Sequence, residues 1–152
     1  MARLADLPDY EVEHLLEKAV PRFPTNPFVR GGPISERRIA LITSAGIHGR
    51  GDDAFQLRDA GYRLIPGEAT DLVMTHSSVN FDRTGFQDDI NVVFPIDRFR
   101  ELEVNGTIGP LASVHYALMG ASLEPDEVQQ SAREIAPLLK QDGVDTVFLT
   151  PV

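Results

Sequence analysis

The chain has 152 residues, 42% of them apolar, enough for one domain with a real core; it has no Cys and no Trp. Without thiols it can form no disulfide, no thiolate nucleophile and no Cys-ligated metal site. A formal net charge of −9, with carboxylates spread along the chain, disfavours binding to phosphate backbones and so to nucleic acid. The N-terminal stretch MARLADLPDYEVEHLLEKAV lacks the apolar run of a signal peptide, and no later segment is long and apolar enough to cross a bilayer. A cytoplasmic protein with no membrane partner is the expectation.

Residues 8–20 predict a helix, with Pro8 in its first turn and Val12, Leu15, Leu16 and Ala19 on one face. The following PRFPTNPFVRGGP holds four Pro and two Gly in thirteen residues, an irregular arm expected to lie on the domain or on a neighbouring subunit. RRIALITSAG predicts a short strand at about residues 38–43, YRLIPG a weaker edge piece, and TDLVMTHSS a second good strand over Leu72 to Met74. FPIDRFRELEVNGTIG predicts a helix from Pro95 that stops at Asn105-Gly106. LASVHYALMG is strand-like, and EPDEVQQSAREIAPLLKQDG predicts a long helix opened by Pro125 and kinked at Pro137. A last apolar strand runs from Val144 to Leu149, parallel to the one near residues 112–118 by the logic of a βαβ unit.

These elements predict an α/β fold with a three-layer, mostly parallel sheet of the Rossmann or flavodoxin type. Residues 1–33 form an N-terminal helix and arm, and 34–152 the α/β domain. The last βα unit reads as incomplete, because no helix follows Val144–Leu149 to cover it. A strand apolar on both faces calls for cover, so residues 1–33, a second subunit or both are expected to hide it, and a homo-oligomer is expected.

SAGIHGRGDDAF is the most Gly-rich loop, but its G-x-x-G-x-G spacing is not the dinucleotide fingerprint, and Asp52-Asp53 would repel a pyrophosphate. The plain reading is a loop whose glycines permit positive φ. An alternative is a loop that carries His48 to a site. His48 and His76 each follow a strand closely; if those strands are parallel, both share a rim with Thr150–Val152. Asp82, Asp88, Asp89 and Asn91 lie in the polar run after His76, so acid–base work or a divalent metal is conceivable there, though no metal spacing is matched. Loop histidines that merely hydrogen-bond are commoner. His115, inside a strand, reads as a satisfied core or interface histidine, and His14 as solvated. Ser44, Ser77 and Ser78 lack the strained elbow of a serine nucleophile. Arg37 and Arg38 read as surface charges.

SAGIHGRGDD, THSS, DDINVVFPIDRFRELEVNGTIG and HYALMG together resemble the selenoprotein B component of glycine, sarcosine, betaine and D-proline reductases, from about residue 36 to the last residue. The D-x-N-x-V-F-P segment at Asp89–Pro95 and N-G-x-I-G at Asn105–Gly109 carry it together. The resemblance implies reductive C–N cleavage of a small amine or amino acid, with a selenocysteine as nucleophile, a pyruvoyl-type partner subunit and a thioredoxin-type reductant. In that family the selenocysteine follows a strand similar to VDTVFLTPV, which places it after Val152, where a UGA codon would be read as a stop. The 152 residues themselves carry no cofactor. On this reading His48, His76 and Asp88 hold supporting catalytic roles, Ser44, Asp82, Asn91 and Thr150 bind substrate, and no residue binds metal. A cysteine-free binding or assembly module is the alternative, and a His/Asp metal hydrolase a weaker third.

Overall fold

A computed structural model describes residues 3–17, 22, 24–26, 28–78, 84–121 and 123–152. The first helix, α1, spans Asp9–Glu17, shorter than expected because residues 18–20 lie outside the described ones. It buries none of its residues: Leu15 and Leu16 are exposed and Val12 only half-buried. The described residues of the arm, including Phe28 and Val29, are exposed as well, so none of the described residues covers them.

From residue 39 the chain builds its core. Strand β1 is Ile39–Thr43, β2 Ile47–Gly49, β3 Tyr62–Pro66 and β4 Leu72–Met74. Helices α2 (Thr84–Asp88) and α3 (Ile96–Val104) follow, then β5 (Val114–Leu118), α4 (Gln129–Gln141) and β6 (Thr146–Thr150). One sheet runs β3-β5-β1-β6, with β1 parallel to both neighbours and β3 antiparallel on the edge. The fold is α/β around this mixed four-stranded sheet. The βαβ expectation holds: β5 and β6 run the same way, with β1 between them.

Two expectations need correction. The strand at Leu72–Met74 does not join the main sheet; it pairs antiparallel with β2, which lies inside the Gly-rich loop. Only three residues form β2, preceded by Gly46 and ending in Gly49, too short a run for a periodicity to register. Gly46 makes the loop possible. Its φ is +70°, and a Cβ there would stand 2.5 Å from the Thr75 carbonyl oxygen, so only Gly brings β2 back beside β4. The long helix, in turn, starts at Gln129 rather than Pro125, after a run of turns.

α3 stops as expected: Gly106 takes φ +68°, and its N–H donates to the Glu103 carbonyl. Gly109 has no room for a side chain, since a Cβ would run into the Arg37 backbone. Arg38 is not a free surface charge. Its guanidinium donates to Asp142 at 2.8 Å, and Asp142 also accepts from the Ser113 amide at 2.7 Å and hydroxyl at 3.0 Å. Burial pushes the Asp142 carboxyl up, but the Arg38 and Ser113 hydrogen bonds outweigh it and hold the pKa below 3.8. This clasp ties the end of α4 to the start of the sheet.

The β1–β5 ladder is broken. Ile39 bridges Leu111 and Ile42 pairs with Tyr116, so three steps along β1 face five along the β5 chain. The Leu41 N–H in the gap donates instead to His115 Nδ1, at 3.1 Å. His115 is 0% exposed and meets Phe94 edge-on at 5.9 Å. An acceptor Nδ1 fixes the neutral Nε2–H tautomer. Burial, then the charge on Arg100, lowers the His115 pKa to about 4, against a smaller opposing pull from Asp142.

Candidate functional site

The carboxyl ends of β1, β5 and β6 open on a cavity of about 420 Å³. Ile42, Leu118, Leu123, Val128 and Leu149 give it mostly apolar walls, with Thr43, Ser44, Glu124 and Thr150 as its polar lining. This is where parallel strands place ligands in open α/β sheets, because the strands end and their connections splay apart. Among the described residues the Thr150 hydroxyl is buried with no hydrogen-bond partner. An unmet donor at a cavity wall is a costly feature unless something arrives to accept from it.

Ser44 lies at the same edge, but its hydroxyl is engaged. Ser44 Oγ accepts from the Val152 N–H at 2.8 Å and reaches the Val152 carbonyl oxygen at 3.3 Å. It holds the chain beyond β6, which leaves it little capacity for a ligand.

The two histidines do not follow parallel strands, the condition on which their shared rim rested. His48 sits within β2 rather than after a strand, opposite Val73 of β4. It is 4% exposed, with Nδ1 2.8 Å from the Gly49 carbonyl and Nε2 2.8 Å from the Thr75 hydroxyl. A carbonyl only accepts, so Nδ1 carries the proton and Nε2 accepts from Thr75. Both nitrogens are spent on local structure. His76 is buried on the wall of a second cavity of about 300 Å³, with Leu72, Val73, Met74, Phe86, Gln87 and Ile90. The antiparallel β2–β4 pair is why the premise of parallel strands fails.

Met119, which lines the first cavity, accepts a 3.6 Å contact from the hydroxyl of Ser77, the residue after His76. Asp88 is exposed at the end of α2. Asn91 accepts from the Asp97 N–H at 3.0 Å and donates to the carboxylates of Asp89 and Asp97. It fastens the start of α3, and its hydrogen bonds hold the Asp89 carboxyl below the ordinary range. Asp82 lies outside the described residues. Ser44 and Thr150 thus line one cavity, while His48 belongs to the β2–β4 pair, His76 to the wall of the other cavity, Asp88 to α2 and Asn91 to the fastening of α3.

Sequence reasoning missed Leu118, Met119, Glu124 and Val128. The signal was available, since the rule that singled out Thr150 applies equally to the end of the strand in HYALMG. Among the described residues, no group of three or more His, Cys, Asp or Glu is placed to hold a metal ion. No helix among them is long and apolar enough to cross a membrane.

Comparison with known proteins places this geometry in context. The family model for glycine/sarcosine/betaine reductase selenoprotein B matches residues 2–152. The D-proline reductase subunit gamma of Acetoanaerobium sticklandii is 36% identical over 121 residues, 77% of this chain and 49% of that protein. The glycine reductase complex component B subunit gamma of Symbiobacterium thermophilum is 37% identical over 135 residues, covering 85% of this chain and 31% of its own length. The sarcosine reductase complex component B subunit beta of Peptoclostridium acidaminophilum is 31% identical over 137 residues, 85% of this chain and 30% of that protein. The chain spans half or less of the length of each of these relatives. No solved structure matches it. With a match across nearly its whole length, the chain belongs to the glycine/sarcosine/betaine reductase selenoprotein B family.

Proposed function

We propose that this chain forms the sheet-bearing part of a reductase component that cleaves a C–N bond in a small amine or amino acid. The observation that carries the proposal is the coincidence of two things at one place. Family membership extends through Val152, and the strand-end cavity is lined by Thr150 and Pro151, the two residues before it. The 152 residues hold no thiol or selenol. The nucleophile is proposed to be a selenocysteine after Val152, which supplies an anionic attacking group at neutral pH.

The chain's own residues supply the setting. The apolar walls exclude water, the Thr150 hydroxyl offers a hydrogen-bond donor to the bound molecule, and Ser44 fixes the backbone at the cavity's edge. The relatives are named as reductase subunits, which supports partner subunits for this chain; a pyruvoyl-type partner and a thioredoxin-type dithiol donor are part of the same proposal. Val147, Phe148 and Leu149, exposed along β6, support an assembled state. A three-layer arrangement and a cytoplasmic location belong to the same proposal.

The test is dithiol-dependent C–N cleavage of glycine, sarcosine, betaine and D-proline, with the partner subunits present. The 152-residue chain is expected to give no turnover, and a product extended through selenocysteine to turn over at least one of the four. Inactivity of the extended product on all four refutes the reading.

A further inference from the structure

Ser44 joins the ends of three strands at once. Its N–H donates to the Thr150 carbonyl at 3.1 Å, its carbonyl accepts from the Gly120 N–H at 2.9 Å, and its hydroxyl accepts from Val152 at 2.8 Å. The arrangement has a local cause. The β1–β6 ladder ends at the Thr43–Thr150 pair, Pro151 has no N–H, and the turn at Gly46 carries the β1 chain away from β6. A side-chain oxygen therefore replaces the next rung of the ladder. Gly120 closes the arrangement from the other side: a Cβ there would stand 2.9 Å from Ser44 Oγ and 3.0 Å from the Val152 carbonyl oxygen. The Val152 side chain is partly buried against the hydrophobic core, so this residue is held by backbone and side chain together.

We propose that Ser44 and Gly120 form a backbone clamp on Val152, with Ser44 as the positioning residue for whatever group follows it at the mouth of the strand-end cavity. The role toward a nucleophile rests on the function proposed above; the clamp on Val152 does not. A clamped Val152 leaves the next residue a narrow range of directions, so its reactive atom is presented to the cavity in one orientation rather than sampled. Ser44 touches no reacting atom in this scheme. It acts only through Val152.

The first arm of the test is amide hydrogen exchange at Val152 in the 152-residue chain. Ser44→Ala is expected to speed exchange at Val152 by about tenfold, the worth of one hydrogen bond, with the β1 core amides unchanged. Ser44→Thr keeps the hydroxyl and is expected to restore protection. Gly120→Ala keeps the hydroxyl but crowds it, and is expected to loosen Val152 as well. The second arm uses the chain extended through its downstream frame with a cysteine at the selenocysteine position. There the pH profile of alkylation by iodoacetamide is expected to shift in Ser44→Ala and return in Ser44→Thr. Val152 exchange as slow in Ser44→Ala as in the parent chain overturns the clamp. A loosened Val152 with an unmoved alkylation profile overturns the positioning role. Turnover enters neither arm, so failure of the reductase reading would appear separately, as absent C–N cleavage with both shifts intact.

Discussion

Replacing His115 by Leu removes the acceptor for the Leu41 N–H at the break in the β1–β5 ladder. At pH 7.5 the orphaned donor costs about 1–3 kcal/mol of unfolding free energy, the penalty for an unmet buried amide. The same substitution also removes a titration. His115 in the folded chain has a pKa of about 4, against 6.5 for an ordinary histidine. Between those values the unfolded chain binds a proton that the folded chain refuses. The wild-type contribution is therefore complete above pH 6.5, declines as the pH falls toward 4, and levels off below it. The full difference amounts to about 3 kcal/mol, with about 2 kcal/mol already lost at pH 5. The stability gap between wild type and His115→Leu should thus close on acidification and vanish near pH 5. Urea unfolding of both proteins from pH 7.5 to 4.5 measures it, and carboxylates shared by both cancel in the difference. A gap that stays constant over this range would refute the assignment of a neutral, Nε2-protonated His115 as a ladder acceptor.

Three further outcomes follow from the same contacts. Asp142→Ala should lower unfolding free energy by about 1.5–3 kcal/mol, since it frees Arg38 and the Ser113 amide together; because the folded pKa is depressed, this contribution is present above pH 3.8 and lost in stronger acid, which a pH series of unfolding curves checks. Thr150→Val should leave the free chain as stable or more stable by about 1 kcal/mol, because a partnerless hydroxyl is removed, while weakening substrate binding by about tenfold; calorimetric melting and titration of the extended protein report the two effects. Asn91→Ala should cost about 1 kcal/mol through loss of the fastening at α3, with no change in KM, and a drop in binding at unchanged stability would restore Asn91 as a substrate ligand.

Elements with strong local signals were legible in the amino-acid sequence. Ile39–Thr43 and Thr146–Thr150 are β-branched, apolar runs bounded by polar or turn residues, and the helix of α3 is closed by Asn105-Gly106. The edge position of Tyr62–Pro66 was legible too, from its weaker pattern. The β2–β4 pair was not, because both strands have three residues and their pairing is set by Gly46 and by contacts across 27 positions, such as His48 to Thr75. That one hidden pairing explains why His48 was expected after a parallel strand and lies instead within an antiparallel pair. The site was half legible. Strand-end logic found Ser44 and Thr150, but a hydroxyl's role depends on whether a partner is already present, and sequence could not reveal that Ser44 is engaged while Thr150 is not. Asn91 misled for the same reason: a polar residue in a polar run reads alike whether it fastens a helix or binds a ligand.

The measurement that bears most directly on the central claim is tandem mass spectrometry of the natural protein, isolated from its own cells, across the peptide that contains Thr146–Val152. The account predicts a peptide that continues past Val152 into a residue bearing the isotope pattern of selenium. A natural protein whose sequence terminates at Val152, or continues there into a residue with neither selenium nor a thiol, would contradict it.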